Sequence, residues 1–131
     1  MAKKKVSTEL YSYGVYSRWD RGTKELPKLL DITDQIPLEL DVEFGYVIII
    51  KGAKGKRVKY RIDHPPFKDD QGKVEPSFTG EYFINSNDYE FFLGDTIWAP
   101  IEDKQGEWCL TTWLDGKIIA KKSLFIKSLY K

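Results

Sequence analysis

Cysteine, histidine and net charge are all scarce in this chain of 131 residues. Cys109 is the single cysteine, so no internal disulfide forms and a disulfide-built secreted domain is disfavoured. His64 is the single histidine, and any Ser-His-Asp or Cys-His site would have to use it. One His with one Cys cannot supply the usual zinc set, and the multi-histidine iron sites of jelly-roll enzymes are excluded. The 21 Lys and Arg are balanced by 20 Asp and Glu, a net charge of +1, whereas a dedicated nucleic-acid binder carries a basic excess. The longest apolar stretch, residues 46–50, is far too short to span a bilayer. Met1-Ala2-Lys3-Lys4-Lys5 is basic but no apolar run follows it, so the sequence predicts no signal peptide. Neither Asn85 nor Asn87 opens an Asn-x-Ser/Thr site. Gly52-Ala53-Lys54-Gly55-Lys56 has the composition of a phosphate-binding loop without its spacing or its following helix, and reads as a hairpin turn. These absences lead to a cytoplasmic protein that is not an enzyme, with no membrane segment, no cofactor and no catalytic or metal-binding residues.

What is present is aromatic and β-branched. With 4 Trp, 8 Tyr and 7 Phe the chain is too aromatic to be disordered, and its composition suits pleated, half-buried surfaces. The length is that of one domain. The expected organisation is a disordered basic tail at residues 1–5 and a single β-sandwich domain at 6–131.

Residues 6–19 favour strand, and Asp20-Arg21-Gly22-Thr23 reads as a turn. Pro37 makes residues 29–40 an edge or bulged strand, because proline cannot donate to a ladder. Residues 42–51 form the strongest strand; Tyr46-Val47-Ile48-Ile49-Ile50 has no polar interruption and predicts cover on both faces. Residues 57–63 alternate, with Val58, Tyr60 and Ile62 on one face and Arg57, Lys59 and Arg61 on the other. His64-Pro65-Pro66-Phe67 stops that strand and residues 68–76 read as a solvated loop. Residues 80–85 are a strand. Residues 87–93 are ambiguous, since Asn87 with Glu90 would cap one helical turn ending at Gly94. Strand resumes near residues 96–98.

Asp115-Gly116 separates two further strand segments and is a strong hairpin signal. A two-residue turn puts Ile119, Lys121, Ser123 and Phe125 on the face of Trp108, Leu110, Thr112 and Leu114. The better apolar set is Ile118, Ala120, Leu124 and Ile126, so a bulge is expected near Lys121-Lys122. No long amphipathic helix is apparent, and short strands at this spacing imply a sandwich or a barrel.

Few residues invite a functional reading. His64 beside Asp63 has the makings of a base, but a histidine before two prolines is ordinarily a turn element. Cys109 on a strand reads as inert packing. Asp63, Asp69, Asp70 and Glu75 match no calcium loop. Lys51, Lys54, Lys56, Arg57, Lys59 and Arg61 crowd one segment, which reads first as a solvated hairpin. Trp108 is the best core candidate. Trp19 and Trp113 lie beside turns and are expected to be exposed. The candidate binding surface therefore draws on Trp19, Arg57, Lys59, Arg61, His64, Asn85, Asn87 and Trp113.

Trp108-x-Leu110, then Leu114-Asp115-Gly116-Lys117, then Leu124-x-Ile126, resembles the last two strands of bacterial immunoglobulin-like domains. Over nearly its whole length the chain also resembles a family of small bacterial proteins catalogued only as a domain of unknown function. The residues that carry this are Tyr11-Ser12-Tyr13-Gly14-Val15-Tyr16, Phe44-Gly45-Tyr46, His64-Pro65-Pro66-Phe67, Ile84-Asn85-Ser86-Asn87-Asp88 and Leu93-Gly94-Asp95-Thr96-Ile97-Trp98. The resemblance implies an all-β, two-sheet antiparallel sandwich, immunoglobulin-like, of about seven to nine strands. It also implies a bacterial cytoplasmic setting, and it brings no active site to transfer.

The first functional expectation is a non-enzymatic binding or protein-interaction module whose partner is another protein or a second copy of the chain. Self-association is considered because Trp113, Ile118 and Ile119 cannot all be buried by one face of the closing hairpin. The alternatives are a carbohydrate-binding domain using exposed aromatics with Asn85-Ser86-Asn87-Asp88 as hydrogen-bonding groups, and a weak oligonucleotide-binding β-barrel using the hairpin of residues 51–61. The tryptophan positions discriminate: clustered inside they favour the plain module, two along one groove favour carbohydrate, and tyrosines flanked by the basic hairpin favour nucleic acid.

Overall fold

The uninterrupted apolar run at residues 46–50 needs cover on both faces, and it finds that cover at the centre of a sheet. The computed structural model describes residues 5–19 and 25–128. Among these residues lie nine strands: β1 (Ser7–Tyr16), β2 (Leu29–Asp31), β3 (Gln35–Pro37), β4 (Glu43–Lys51), β5 (Arg57–Asp63), β6 (Phe78–Phe83), β7 (Asp88–Thr96), β8 (Gly106–Leu114) and β9 (Lys117–Lys127). One 3-10 turn spans Glu102–Lys104. The tail expected at residues 1–5, Lys5 excepted, and the turn expected at residues 20–23 lie outside the described residues.

Two sheets pack face to face. The four-stranded sheet has the order β2-β1-β4-β7 and the five-stranded sheet the order β3-β9-β8-β5-β6. Neighbours run antiparallel except β3, which lies parallel to β9. The core between the sheets takes alternate residues of the longer strands, among them Phe44, Tyr46, Ile48 and Ile50 from β4 and Trp108 and Leu110 from β8. Trp108 is fully buried, edge-on to Phe44 at 5.2 Å, and its indole N–H donates to the Lys104 carbonyl at 2.8 Å. The other face of β4 is covered too: Val47 packs with Tyr16 and Phe92 beneath Trp19 and Leu26. At the β4–β7 pairing Gly45 faces Gly94, and a Cβ on Gly45 would collide with the Leu93 carbonyl, so only glycine admits this approach.

Three expectations need correction. Residues 87–93 make no helical turn; residues 88–96 are strand β7, paired along its length with β4. The alternation of Tyr89, Phe91 and Leu93 decides this, because two of these side chains enter the core and tertiary burial outweighs a local cap. Asn87 is occupied elsewhere: its side-chain oxygen accepts the Lys54 N–H and its carbonyl accepts the Gly52 N–H. Residues 29–40 are not one strand but two short ones on the edges of different sheets, with Pro37 on the edge strand β3, where its missing N–H is tolerated.

The closing hairpin does contain an irregularity, but not at Lys121-Lys122. Trp113 pairs with Ile118 and Thr112 with Ala120, so Ile119 is the extra residue. From there Ala120, Leu124 and Ile126 point inward and are buried. The displacement follows from the turn, where Asp115 (φ 52°) and Gly116 (φ 76°) form the tight two-residue loop the sequence predicts. The inward set therefore has to be corrected within the first turn-proximal pairs.

Candidate binding cleft

Strands β6 and β7 are consecutive, yet β6 is an edge of the five-stranded sheet and β7 an edge of the four-stranded one. Both edges lie on one side of the sandwich, and among the described residues no strand bridges them. The space between them forms a cleft of about 900 Å³ lined by Trp19, Glu25, Leu26, Tyr82, Asn85 and residues 88–92. A narrower groove of about 300 Å³ continues past Tyr60, Phe78 and Tyr82 towards Gly94 and Asp95.

The floor is a run of rings. Tyr60 stacks on Tyr82 at 5.7 Å, Tyr82 lies 5.6 Å from Phe91, and Phe91 lies 6.4 Å from Tyr89. Burial, followed by the proximity of Tyr82, raises the phenol pKa of both Tyr60 and Tyr89 above the ordinary value. These rings therefore act as neutral, amphipathic surfaces at physiological pH. On the outer side Trp19 stands edge-on to Phe92 at 5.0 Å, its indole N–H donating to the Glu25 carbonyl at 2.9 Å. Glu25, Asp88 and Glu90 line the cleft and Asp95 the groove; among the described residues no Lys, Arg or His lines either.

The eight residues expected at a binding surface do not form one site. Trp19 and Asn85 line the cleft. Arg57, Lys59, Arg61 and Trp113 meet instead on the outer face of the five-stranded sheet. There Lys59 lies opposite Trp113, and the Arg61 guanidinium sits over the indole at 5.4 Å. Arg57 pairs with Glu81 at 3.3 Å and Arg61 with Asp63 at 3.0 Å. Neither Trp19 nor Trp113 is fully exposed; both are half-buried, because Phe92 and Arg61 cover part of each ring. Asn87 secures the turn after β4.

His64 stacks on Phe67 at 4.2 Å, and its ring nitrogens face the carbonyls of Pro65 and Pro76 at 2.7 and 2.8 Å. The Asp63 carboxylate is engaged by Arg61 and Ser77, so the His64–Asp63 pair that a base would need is not formed.

Tyr82, Tyr89 and Phe91 are absent from the residues expected at a binding surface; Asp88 has a binding role only in the carbohydrate alternative and Glu90 enters only as a helix cap. The Tyr89-x-Phe91 alternation was the available signal, and it was obscured by the helical reading of the same segment.

The nine-stranded two-sheet architecture defines an immunoglobulin-like β-sandwich. A solved immunoglobulin-like protein of Pseudomonas aeruginosa is similar to this chain with a TM-score of 0.78 at 18% identity, over 97% of this chain and 100% of that one. The chain belongs to the family described as Domain of unknown function (DUF3859), which matches residues 4–126. No curated protein matches it. The described residues contain no helix long and apolar enough to cross a membrane.

Proposed function

We propose that this chain is a non-enzymatic interaction module that engages a protein partner along the open side of the sandwich. The observation that carries this reading is the pair of sheet edges, β6 and β7, which no strand covers among the described residues and which flank a cleft floored by Tyr60, Tyr82, Phe91 and Tyr89. Edge strands are ordinarily blunted or covered. Here two of them frame exposed aromatic surface, with Tyr82 49% exposed at the cleft. The tryptophans argue against a sugar platform: Trp108 is fully buried with the half-buried Trp98 edge-on to it at 6.2 Å, while Trp19 and Trp113 lie on separate surfaces. The unpaired thiol of Cys109 fits a reducing compartment, and we place the module in the bacterial cytoplasm on that basis.

Photo-crosslinking in cells tests the reading. A photoreactive residue replacing Tyr82 or Tyr89 should trap a protein, and the same residue replacing Leu30, on the far edge strand β2, should not. Absence of a trapped protein at both cleft positions sinks it. A second reading, a homodimer through the outer face of the five-stranded sheet, is favoured by Ile118, which is 55% exposed beside Trp113. In that case the trapped protein would be the chain itself, through positions around Ile118.

A further inference from the structure

We propose that the cleft is occupied by an extended, basic segment of a partner polypeptide, which adds to the free edge of β7 as an extra strand. This rests on the interaction reading above and specifies its partner.

The first support is the hydrogen-bonding phase of β7. Antiparallel pairs alternate between those that exchange backbone bonds and those that do not. The Gly52 N–H donates to the Asn87 carbonyl at 2.9 Å and the Ile97 N–H to the Val42 carbonyl at 3.0 Å. Between these ends the register of β4 with β7 is unbroken. Residues 89, 91, 93 and 95 thus bond to β4, and residues 88, 90, 92, 94 and 96 turn their N–H and C=O to the open side. The two end positions are closed locally: the Asp88 N–H donates to the Ser86 hydroxyl and the Thr96 N–H to the Asp95 carboxylate. Glu90, Phe92 and Gly94 lie between them, and β7 has no second strand partner among the described residues. A central edge left open between two closed ends, with a cleft in front of it, is the geometry of strand addition.

The second support is charge. An added strand would send alternate side chains to the two sides of β7. On the inner side they would meet Tyr82, Tyr89 and Phe91, which suits aliphatic residues. On the outer side lie Asp88 and Glu90, both exposed, with Leu26 and Trp19 beyond. Lys51 lies opposite Asp88 on β4, but Glu90 lies opposite Ile49 and has no cation across from it. Among the described residues the charged side chains that line the cleft are all carboxylates, and Asp88 and Glu90 stand on the edge strand itself. The complement is a strand with Lys or Arg on one face and aliphatic residues on the other, selected as much by like-charge exclusion of acidic strands as by attraction.

The test is a titration of the full chain, 15N-labelled, with three blocked nine-residue peptides: alternating Lys-Val, alternating Glu-Val, and Lys-Val N-methylated throughout. The Lys-Val peptide should shift the amide signals of Glu90, Phe92 and Gly94, slow their hydrogen exchange, and bind more tightly than about 1 mM. The glutamate peptide should not bind. The N-methylated peptide keeps its charge but has no N–H to donate, and should lose at least about tenfold in affinity. Glu90→Lys should weaken Lys-Val binding by a similar factor, and Glu90→Gln by less. Glu90 is exposed, so both variants should fold, and the remaining amide spectrum verifies it. Equal binding of the N-methylated peptide, shifts confined to the Arg61–Trp113 face, or no binding overturns the proposal. A protein trapped at Tyr82 whose contacting segment is acidic or helical overturns it while leaving the interaction role standing.

Discussion

The phenol of Tyr46 and the hydroxyl of Thr112 meet at 2.6 Å, a hydrogen bond that joins the two sheets through the middle of the core. Tyr46 comes from β4 and Thr112 from β8, and both are fully buried. Two polar groups placed between apolar layers are tolerated because each satisfies the other. The bond also fixes how the sheets slide over each other, since a shift of one residue would part them.

This pair gives a non-additive prediction. Tyr46→Phe alone strands the Thr112 hydroxyl, and Thr112→Val alone strands the phenol, so each should destabilise by about 1–3 kcal/mol. The double variant removes both polar groups with little change of shape, and its cost should fall clearly below the sum of the two. Urea unfolding of the four proteins measures this. Strict additivity would show that the bond contributes nothing.

Alkaline pH should unfold the protein through the same kind of residue. Burial pushes the Tyr16 phenol up from 10.0 to about 12, partly opposed by its hydrogen bond with Ser12. Burial likewise raises Tyr46, partly opposed by Thr112. Between pH 10 and 12 the unfolded chain has lost these protons while the native state still holds them. Stability is therefore fully present below pH 10 and declines as pH rises towards 12. The melting temperature should drop over that interval, and Tyr16→Phe should make the drop shallower. A profile unchanged in Tyr16→Phe would remove Tyr16 from the explanation.

Nucleic acid should bind only weakly at physiological salt. Arg57, Lys59 and Arg61 share a face, which a phosphate backbone could use, but Arg57 is paired with Glu81 and Arg61 with Asp63. Three phosphate contacts opposed by two carboxylates leave little counterion release to gain. Fluorescence anisotropy with single-stranded DNA and RNA at about 0.15 M salt should give dissociation constants weaker than about 1 μM. The double variant Asp63→Asn with Glu81→Gln should bind more tightly and with a steeper salt dependence. Sub-micromolar binding by the wild type that Arg57→Glu abolishes would move the oligonucleotide reading to first place.

Periodicity carried most of the fold. The alternation at residues 57–63 and the Asp115-Gly116 turn are local, and both are found where the sequence puts them. The apolar run at residues 46–50 points to a strand covered on two faces because it is short and largely β-branched, and four of its five side chains are buried. Local rules failed where two of them competed. At residues 87–93 a helix-capping pattern and a strand alternation coexist, and only the neighbouring β4 decides between them. In the closing hairpin the need for a bulge was legible, but its position at Ile119 depends on how many pairs the turn can hold before Ala120 has to face the core.

The cleft was the least legible feature, for a different reason. Composition fixes the stock of aromatic rings and the balance of charge, and patterns only a few residues long suffice for the strands at 46–50 and 57–63 and for the closing turn. Three relationships arise only when the strands are packed together: β6 and β7 end different sheets on the same side, Trp113 joins the face of Arg57, Lys59 and Arg61, and Tyr82 meets Phe91. Those adjacencies are set by which strand edges remain after the two apolar faces have closed on each other. That closure depends on the whole set of strands at once, and no short window of residues contains it.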